Sequence, residues 1–545
     1  MPQLPLQMVC SSKFGRYPKI SSEQVFNMFQ ADGWMIAYAG YILENVLSGE
    51  TGTGRGIFYS SRANKMYVVV NEKIYEISAS GLVLTPIFIH SLDTAIGDVY
   101  IDENLKSQIA FCDGSDIYIY DYVNGVFQKL ALGFSAGYVM FQDSRFIVPV
   151  NGKPEWRLSD DNLLAIDSAT VNDGGSGYVM GDILSVDNGV AGTLKVSGVS
   201  GTAITDVTVE TEGYGYSDAT YPTTAVTGSG TDATFNIVIK GGFTASSGQI
   251  GSFQTKPDNA RACVRMPGKT GQLLVMGSIV TEVWTDLGLQ LFPYQRNSSY
   301  NIDYGCLNAA TIATGDDFVV WLGSNEKSGP VIMHCSGGGV NQISTDGINF
   351  RLSELKNPEN SYGFVFKQDG HVFYQLTFPG VDDNVTYIYD FTTQKFYTLC
   401  DIERNYHIAR RVAYFNNTYF FISYNDTNLY RLDSNLTTFG GKEIPRIIIT
   451  PTSGLPTRLP FIVNSLTFPI EQGENILNAR VDLSCSSDGG ITFGNEKGVY
   501  FNAYAKRRNI FKFYNLGRYN EVIFQFKFWG FNRFVLTNGV AEVTQ

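Results

Sequence analysis

Residues 106–130, KSQIAFCDGSDIYIYDYVNGVFQKL, hold three short β-forming runs separated by two tight turns. Residues 108–112 are apolar-rich, Asp113-Gly114 turns, residues 116–122 alternate, Asn124-Gly125 turns again and residues 126–130 return. Asp-Gly and Asn-Gly supply the positive φ that two-residue hairpins demand. The flanking aromatic and β-branched residues suit a pleated surface. Such a unit is most of an antiparallel meander, and it recurs. Similar runs start near Met66, Gln108, Phe146, Leu273, Phe318, Val372 and Tyr419, at steps of 42, 38, 127, 45, 54 and 47. Five of these lie near the blade length of a β-propeller, about 40–50 residues. The sixth joins them at about 47 if roughly 80 residues are inserted there. Seven four-stranded blades fit, or six if the first hairpin belongs elsewhere.

The insertion has its own composition. Residues 167–242 are rich in Gly, Ser, Thr, Val and Asp and nearly free of Lys and Arg, and a Gly-Tyr motif occurs twice, as GGSGYVMGDILSV (174–186) and EGYGYSDA (212–219). A segment of this kind is tolerated where its two ends lie together on a surface loop. Past residue 435 the repeat stops, and proline-punctuated strands suggest a second β domain, a sandwich. The expected fold is all-β. Residues 1–50 form an arm, 51–166 and 243–434 the propeller, 167–242 an inserted β module and 435–545 a C-terminal sandwich-like domain.

Aromatics at 14%, charged residues at only 17% and 56 glycines match many short strands and tight turns. No run of about 18 apolar residues offers a membrane span. The first ten residues lack the basic start and apolar stretch of a secretion signal. A soluble protein made in a cytosol is expected. Seven scattered cysteines, Cys10, Cys112, Cys263, Cys306, Cys335, Cys400 and Cys485, are never paired at metal-ligand spacing and are read as reduced and mostly buried. A net charge of −12 argues against tight general nucleic-acid binding, which depends on Lys and Arg neutralising phosphates.

Chemistry-bearing constellations are sparse. His90, His334, His371 and His407 fall in four separate segments. The pairs Asp160-Asp161, Asp316-Asp317 and Asp382-Asp383 sit at expected turns, where Asp caps backbone N–H groups. GETGTGRG and GSGTDA lack the Lys-Ser/Thr or strand-to-helix context of a phosphate cradle. SSDGGITF (486–493) fits the Asp-box S-x-D-x-G-x-x-F/W of sialidase propellers, where Asp and Ser lock a turn, and STDGINF (344–350) is a poorer copy. No catalytic, cofactor-binding or metal residues are assigned, and no enzyme activity is expected. One local positive cluster, Lys506, Arg507, Arg508 and Arg518, is the candidate partner contact. The competing reading is a glycan-binding or sialidase-like propeller acting on host-surface sugars.

Several segments together resemble the packaged-DNA stabilisation proteins of short-tailed bacteriophages, the tail hub or nozzle subunits. They are Asn27-Met28 with Gly40-Tyr41, GRGIFY (54–59), GQLLVMGSIVTEVW (271–284), DYGCLNAAT (303–311), SSDGGITFG (486–494) and LGRYNEVIFQFKF (516–528). After Leu516-Gly517-Arg518 this chain continues Tyr519-Asn520-Glu521 in place of a more basic run. The inserted module is similar to Gly-Tyr modules spliced into many phage virion proteins. The resemblance implies a tail protein of the virion, made in the host bacterial cytoplasm. It would form a homo-hexameric ring below the portal and its adaptor, carry fibres, spikes or a needle, and pass double-stranded DNA through its lumen without sequence-specific binding.

Overall fold

The computed structural model describes residues 3–14, 23–161, 163–243, 249–289, 292–472, 479–500, 508–530 and 534–545. It divides into two compact units, Arg55–Cys306 and Met1–Gly54 with Leu307–Gln545. Strands dominate both, in keeping with the expected all-β propeller class.

In the unit Arg55–Cys306 four-stranded antiparallel meanders follow one another. The second is Tyr100–Glu103, Gln108–Cys112, Ile117–Asp121 and Val126–Lys129, each strand pairing with the next. Gly114 and Gly125 turn it with φ of 90° and 68°, the left-handed region that costs glycine nothing. The first meander ends in Lys65–Val70, Lys73–Ser80 and Val83–Ser91, and the fourth runs from Ala262–Arg265 to Tyr294–Ile302. The third is interrupted. Its strands Met140–Gln142, Arg145–Pro149 and Glu155–Leu158 are completed by Ile250–Ser252, which pairs with Glu155–Leu158 from beyond the insertion.

The insertion is a six-stranded sheet with its own core of Tyr178, Leu184, Leu194, Tyr216, Phe235 and Ile237 among others. Its two outermost strands, Ile166–Ser176 and Ala203–Tyr214, come side by side, and a Cβ on Gly174 would lie 2.4 Å from the Ile204 carbonyl oxygen. The sheet thus rolls toward a barrel. Ile166 and Ile239 are direct partners, so the module leaves and re-enters its host at one point. That adjacency is what lets a blade accept it.

The doubled Gly-Tyr motif marks a doubled architecture. Ile166–Ser176, Ile183–Val186 and Val190–Ser200 form one half, and Ala203–Tyr214, Ala219–Ala225 and Thr231–Ile239 the other. Each half makes a hairpin of its last two strands and lends its first strand to the other half's hairpin. The two middle strands pair across the centre. Equivalent positions share their conformation: Gly175 and Gly213 have φ of 56° and 57°, and Ala191 and Asp232 of 58° and 68°. Tyr178 lies over Gly230 and Tyr216 over Gly189, where a Cβ in either glycine would meet the ring at 2.2 Å.

The second unit holds three further meanders. They begin at Phe318–Ser324 with its partner Ala313–Thr314, at Tyr362–Gln368 and at Ala409–Phe415. The last takes its fourth strand, Gly40–Val46, from the start of the chain. Residues 1–50, expected as an arm, therefore contribute strands. Gln3–Leu6 pairs with Gly539–Thr544, and Gln24–Phe26 lies between Lys395–Leu399 and Arg446–Ile449. These strands are three to seven residues long and their partners lie hundreds of positions away, which is why no local period announces them. Together with the C-terminal strands they enclose one core, including Phe29, Met35, Phe461, Phe468, Phe511, Phe524 and Phe526.

Candidate docking strand

Of the candidate basic cluster, two members are described and they lie apart. Lys506 and Arg507 lie outside the described residues. Arg508 and Arg518 are both exposed on one strand, Arg508–Tyr519, at opposite ends. Ten residues of extended chain span about 33 Å, so they do not form a single patch. The strand is held on one side by Phe461–Gln472, with Arg508 opposite Glu471 and Arg518 opposite Ile462. It forms a long edge.

Alternation builds the two faces of this edge. Phe511 and Phe513 are buried, while Arg508, Ile510, Lys512 and Tyr514 are exposed on the other side. Lys512, opposite Thr467, is a cation of this face that the search for clustered charge passed over. Its signal was the single Lys between two Phe residues, a period of two. Arg508 Nε stands 3.6 Å from Glu471 Oε1, with both side chains largely in solvent, and such a pair contributes little. At the far end Asn515 and Gly517 take φ of 54° and 114°. There Lys497 Nζ donates to the Tyr514 and Asn515 carbonyl oxygens at 3.2 and 2.6 Å. A lysine across an open edge is one way to limit unwanted strand addition.

The remaining candidates are structural. Asp488 accepts from Ser486 Oγ, Thr492 Oγ1 and the Ile491 and Thr492 N–H groups. Those donors hold its carboxyl well below the usual carboxylate range. The Asp-box here folds a turn. Its poorer copy does something else: Thr345 caps the helix Asp346–Ser353 by accepting from the Ile348 N–H. Asp383 caps the Lys356 and Asn357 N–H groups, and Asp161 and Asp316 pair with Arg145 and Lys367.

The four histidines stay apart. His90 stacks on Phe127 at 4.1 Å, and His371 Nδ1 is 2.8 Å from Asp390. His334 lies against Phe318 and Phe391. His407 is buried among Tyr38, Tyr41, Phe421 and Phe439, and burial lowers it to about 3, so it is neutral at physiological pH. Among the described residues no three His, Cys, Asp or Glu are placed to hold a metal ion. Burial pushes the Cys112 thiol up to about 12 and Cys400 to about 11, so these two stay protonated at neutral pH. An open cleft of about 520 Å³ lies beside Arg265 and Lys269, and among the described residues Asp143 is the acid lining it. Glycoside hydrolysis by the common route needs two carboxylates.

Fold and site thus define an all-β, propeller-type protein with exposed strand edges and structural polar networks. Residues 218–437 match the family model described as "Phage_stabilise: Bacteriophage P22 Gp10, beta-propeller". The matched stretch is similar to that phage family over 220 of the chain's 545 residues. No curated protein matches the chain. Among solved structures, the AfRom2 CNH domain is similar at 10% identity and a TM-score of 0.31, covering 71% of this chain and 98% of that one. A luciferin-regenerating enzyme is similar at 10% identity and 0.29, covering 74% and 97%. Likenesses this distant carry no functional argument. Among the described residues no helix is long and apolar enough to cross a membrane.

Proposed function

We propose that this chain is a tail hub or nozzle subunit of a short-tailed phage, a ring of six copies docked beneath the portal and its adaptor. It extends the DNA conduit, retains the packaged genome, takes part in its ejection and carries fibres, spikes or a needle. The observation that carries this reading is the family match over residues 218–437, the stretch that holds the later propeller meanders. The architecture supports it. Carboxylates such as Asp383 and Asp488 are engaged in holding turns, which suits a rigid scaffold. The net charge of −12 suits a conduit, because an acidic wall repels phosphates and lets double-stranded DNA slide without sequence-specific contact.

The division into a propeller, an inserted module at 167–242 and a C-terminal β domain is part of the same proposal. The test is to mix the purified chain with portal and adaptor rings and image the product. A sixfold ring bound below the adaptor is expected. Binding to neither ring, together with the absence of a sixfold layer on assembled tails, would sink the reading.

A further inference from the structure

We propose that the exposed face of the strand Arg508–Tyr519 docks onto the acidic face of the inserted module of a second copy of this chain. Charge points to that occupant. Residues 167–242 contain nine acidic residues against two lysines and no arginine, −7 of the chain's −12. The strand Arg508–Tyr519 contains Arg508, Lys512 and Arg518 and no acid. Among the described residues it joins the sheet along one side, through Phe461–Gln472.

Spacing matches as well as sign. On the module, Asp206, Thr208 and Glu210 alternate along the exposed side of Ala203–Tyr214, and the pairing shifts register at Glu210, beyond which Glu212 is also exposed. Asp167 and Asp173 are exposed on the neighbouring strand Ile166–Ser176. Asp206 and Glu210 are four residues apart, as are Arg508 and Lys512, and four residues of strand span about 13 Å in each case. Two ion pairs can therefore form at once, with Ile510 meeting Thr208 between them. Glu212 is already engaged by Lys240 at 2.6 Å. Among the described residues Asp206, Glu210 and Lys512 have no ion-pair partner in their own chain.

Other occupants fit less well. Anionic lipid and nucleic acid are repelled by the module, and a second module would meet it with like charge. DNA phosphates are a poor match for the strand, since exposed Ile510 and Tyr514 separate its cations and Glu471 stands beside Arg508. Because the contact joins two different patches, it is heterologous, and repetition closes a ring or propagates a filament.

The test uses the full chain and two variants, Arg508→Glu/Lys512→Glu and Asp206→Lys/Glu210→Lys, with self-association followed by sedimentation velocity. The parent should associate at about 20 µM, and each variant should bind itself about tenfold more weakly or worse. Raising salt from about 50 to about 500 mM should weaken the parent in the same sense. Mixing the two variants should restore association, because every basic face then meets an acidic one on the other species. Unchanged melting curves show that both variants fold. A monomeric parent, a change of less than about twofold in both variants, or a mixture that stays apart overturns the proposal. So does binding of a short DNA duplex that is lost in Arg508→Glu/Lys512→Glu while self-association is not. The portal and adaptor reading fails separately, since charge-dependent association without docking to those rings leaves this contact standing.

Discussion

The second meander and the inserted module are both antiparallel sheets within one compact unit, yet they bury their side chains in opposite ways. Gln108–Cys112 and Ile117–Asp121 are buried at every position. Ile109, Phe111, Tyr118 and Tyr120 pack against Tyr67, Val69 and Ile74 of the preceding meander. Ala110, Cys112, Ile117 and Ile119 pack against Phe141, Phe146 and Val148 of the next. The period of two is present but both phases are apolar. In the module, Thr231–Ile239 buries Ala233, Phe235 and Ile237 and exposes Asp232, Asn236 and Val238. Two-sided burial leaves little room for charge, whereas a one-sided sheet has a free face on which acids accumulate. The module fills its small core by laying two tyrosines over two glycines, and the meanders fill theirs with whole layers of large side chains.

The largest expected effect tests the layered packing. Trp156 is fully buried against Trp284, Phe292 and Tyr294, with Gly251 so close that a Cβ there would sit 2.1 Å from the indole. Trp156→Ala should cost about 3–5 kcal/mol in denaturant unfolding. A loss below about 1 kcal/mol would mean that neighbouring layers collapse into the gap, contrary to close packing.

Gly230→Val should force Tyr178 from its place and cost about 2–3 kcal/mol. The damage belongs in the module alone, so hydrogen exchange should quicken in residues 166–239 and stay unchanged in the second meander. Spread of the effect to both regions would break the contrast between them.

Acid should act outside both regions, because neither the second meander nor the module holds a histidine. His407 has an ordinary value of 6.5 and is lowered by burial to about 3. Between those values the unfolded chain takes up a proton that the folded chain refuses. Stability from this group therefore falls as pH drops through that window, by about 1.4 kcal/mol per pH unit. His407→Phe should flatten the slope between pH 6.5 and pH 5 by about that amount, read as the pH dependence of thermal unfolding. An unaltered slope would assign the acid sensitivity to other groups.

The smallest effect lies in one hydroxyl. Tyr216 accepts from the Gly192 N–H and donates to the Val186 carbonyl oxygen, both at 3.1 Å. Tyr216→Phe keeps the ring and should cost about 1 kcal/mol, seen as a module-specific change in exchange. If Tyr216→Phe matches Tyr216→Ala, the hydrogen bonds matter more than the ring over glycine.

Legibility in the sequence followed the range of the interactions. The turns at Gly114 and Gly125 were readable because positive φ is a local demand met by few residue types. The Asp-box was readable for the same reason, since Ser486, Asp488 and Thr492 lie within seven positions. The doubled Gly-Tyr motif announced two copies but not their exchange of first strands, because strand partnership is decided by what closes the barrel. Of the basic cluster, Arg508 and Arg518 lie at opposite ends of one extended strand, and Lys512 between them carries no composition signal because it is one lysine between phenylalanines.

By itself the sequence determined the class of structure and its repeat, since turn chemistry, β propensity and composition act over a few residues. Only the tertiary structure decided that Gly40–Val46 completes the last meander, that residues 3–6 lie beside Gly539–Thr544, and that Arg508 and Lys512 share an open face. The reason is physical. Sheet pairing is made by backbone groups that every residue carries, so a strand's partner is selected by the packing of the whole core and not by the strand's own letters.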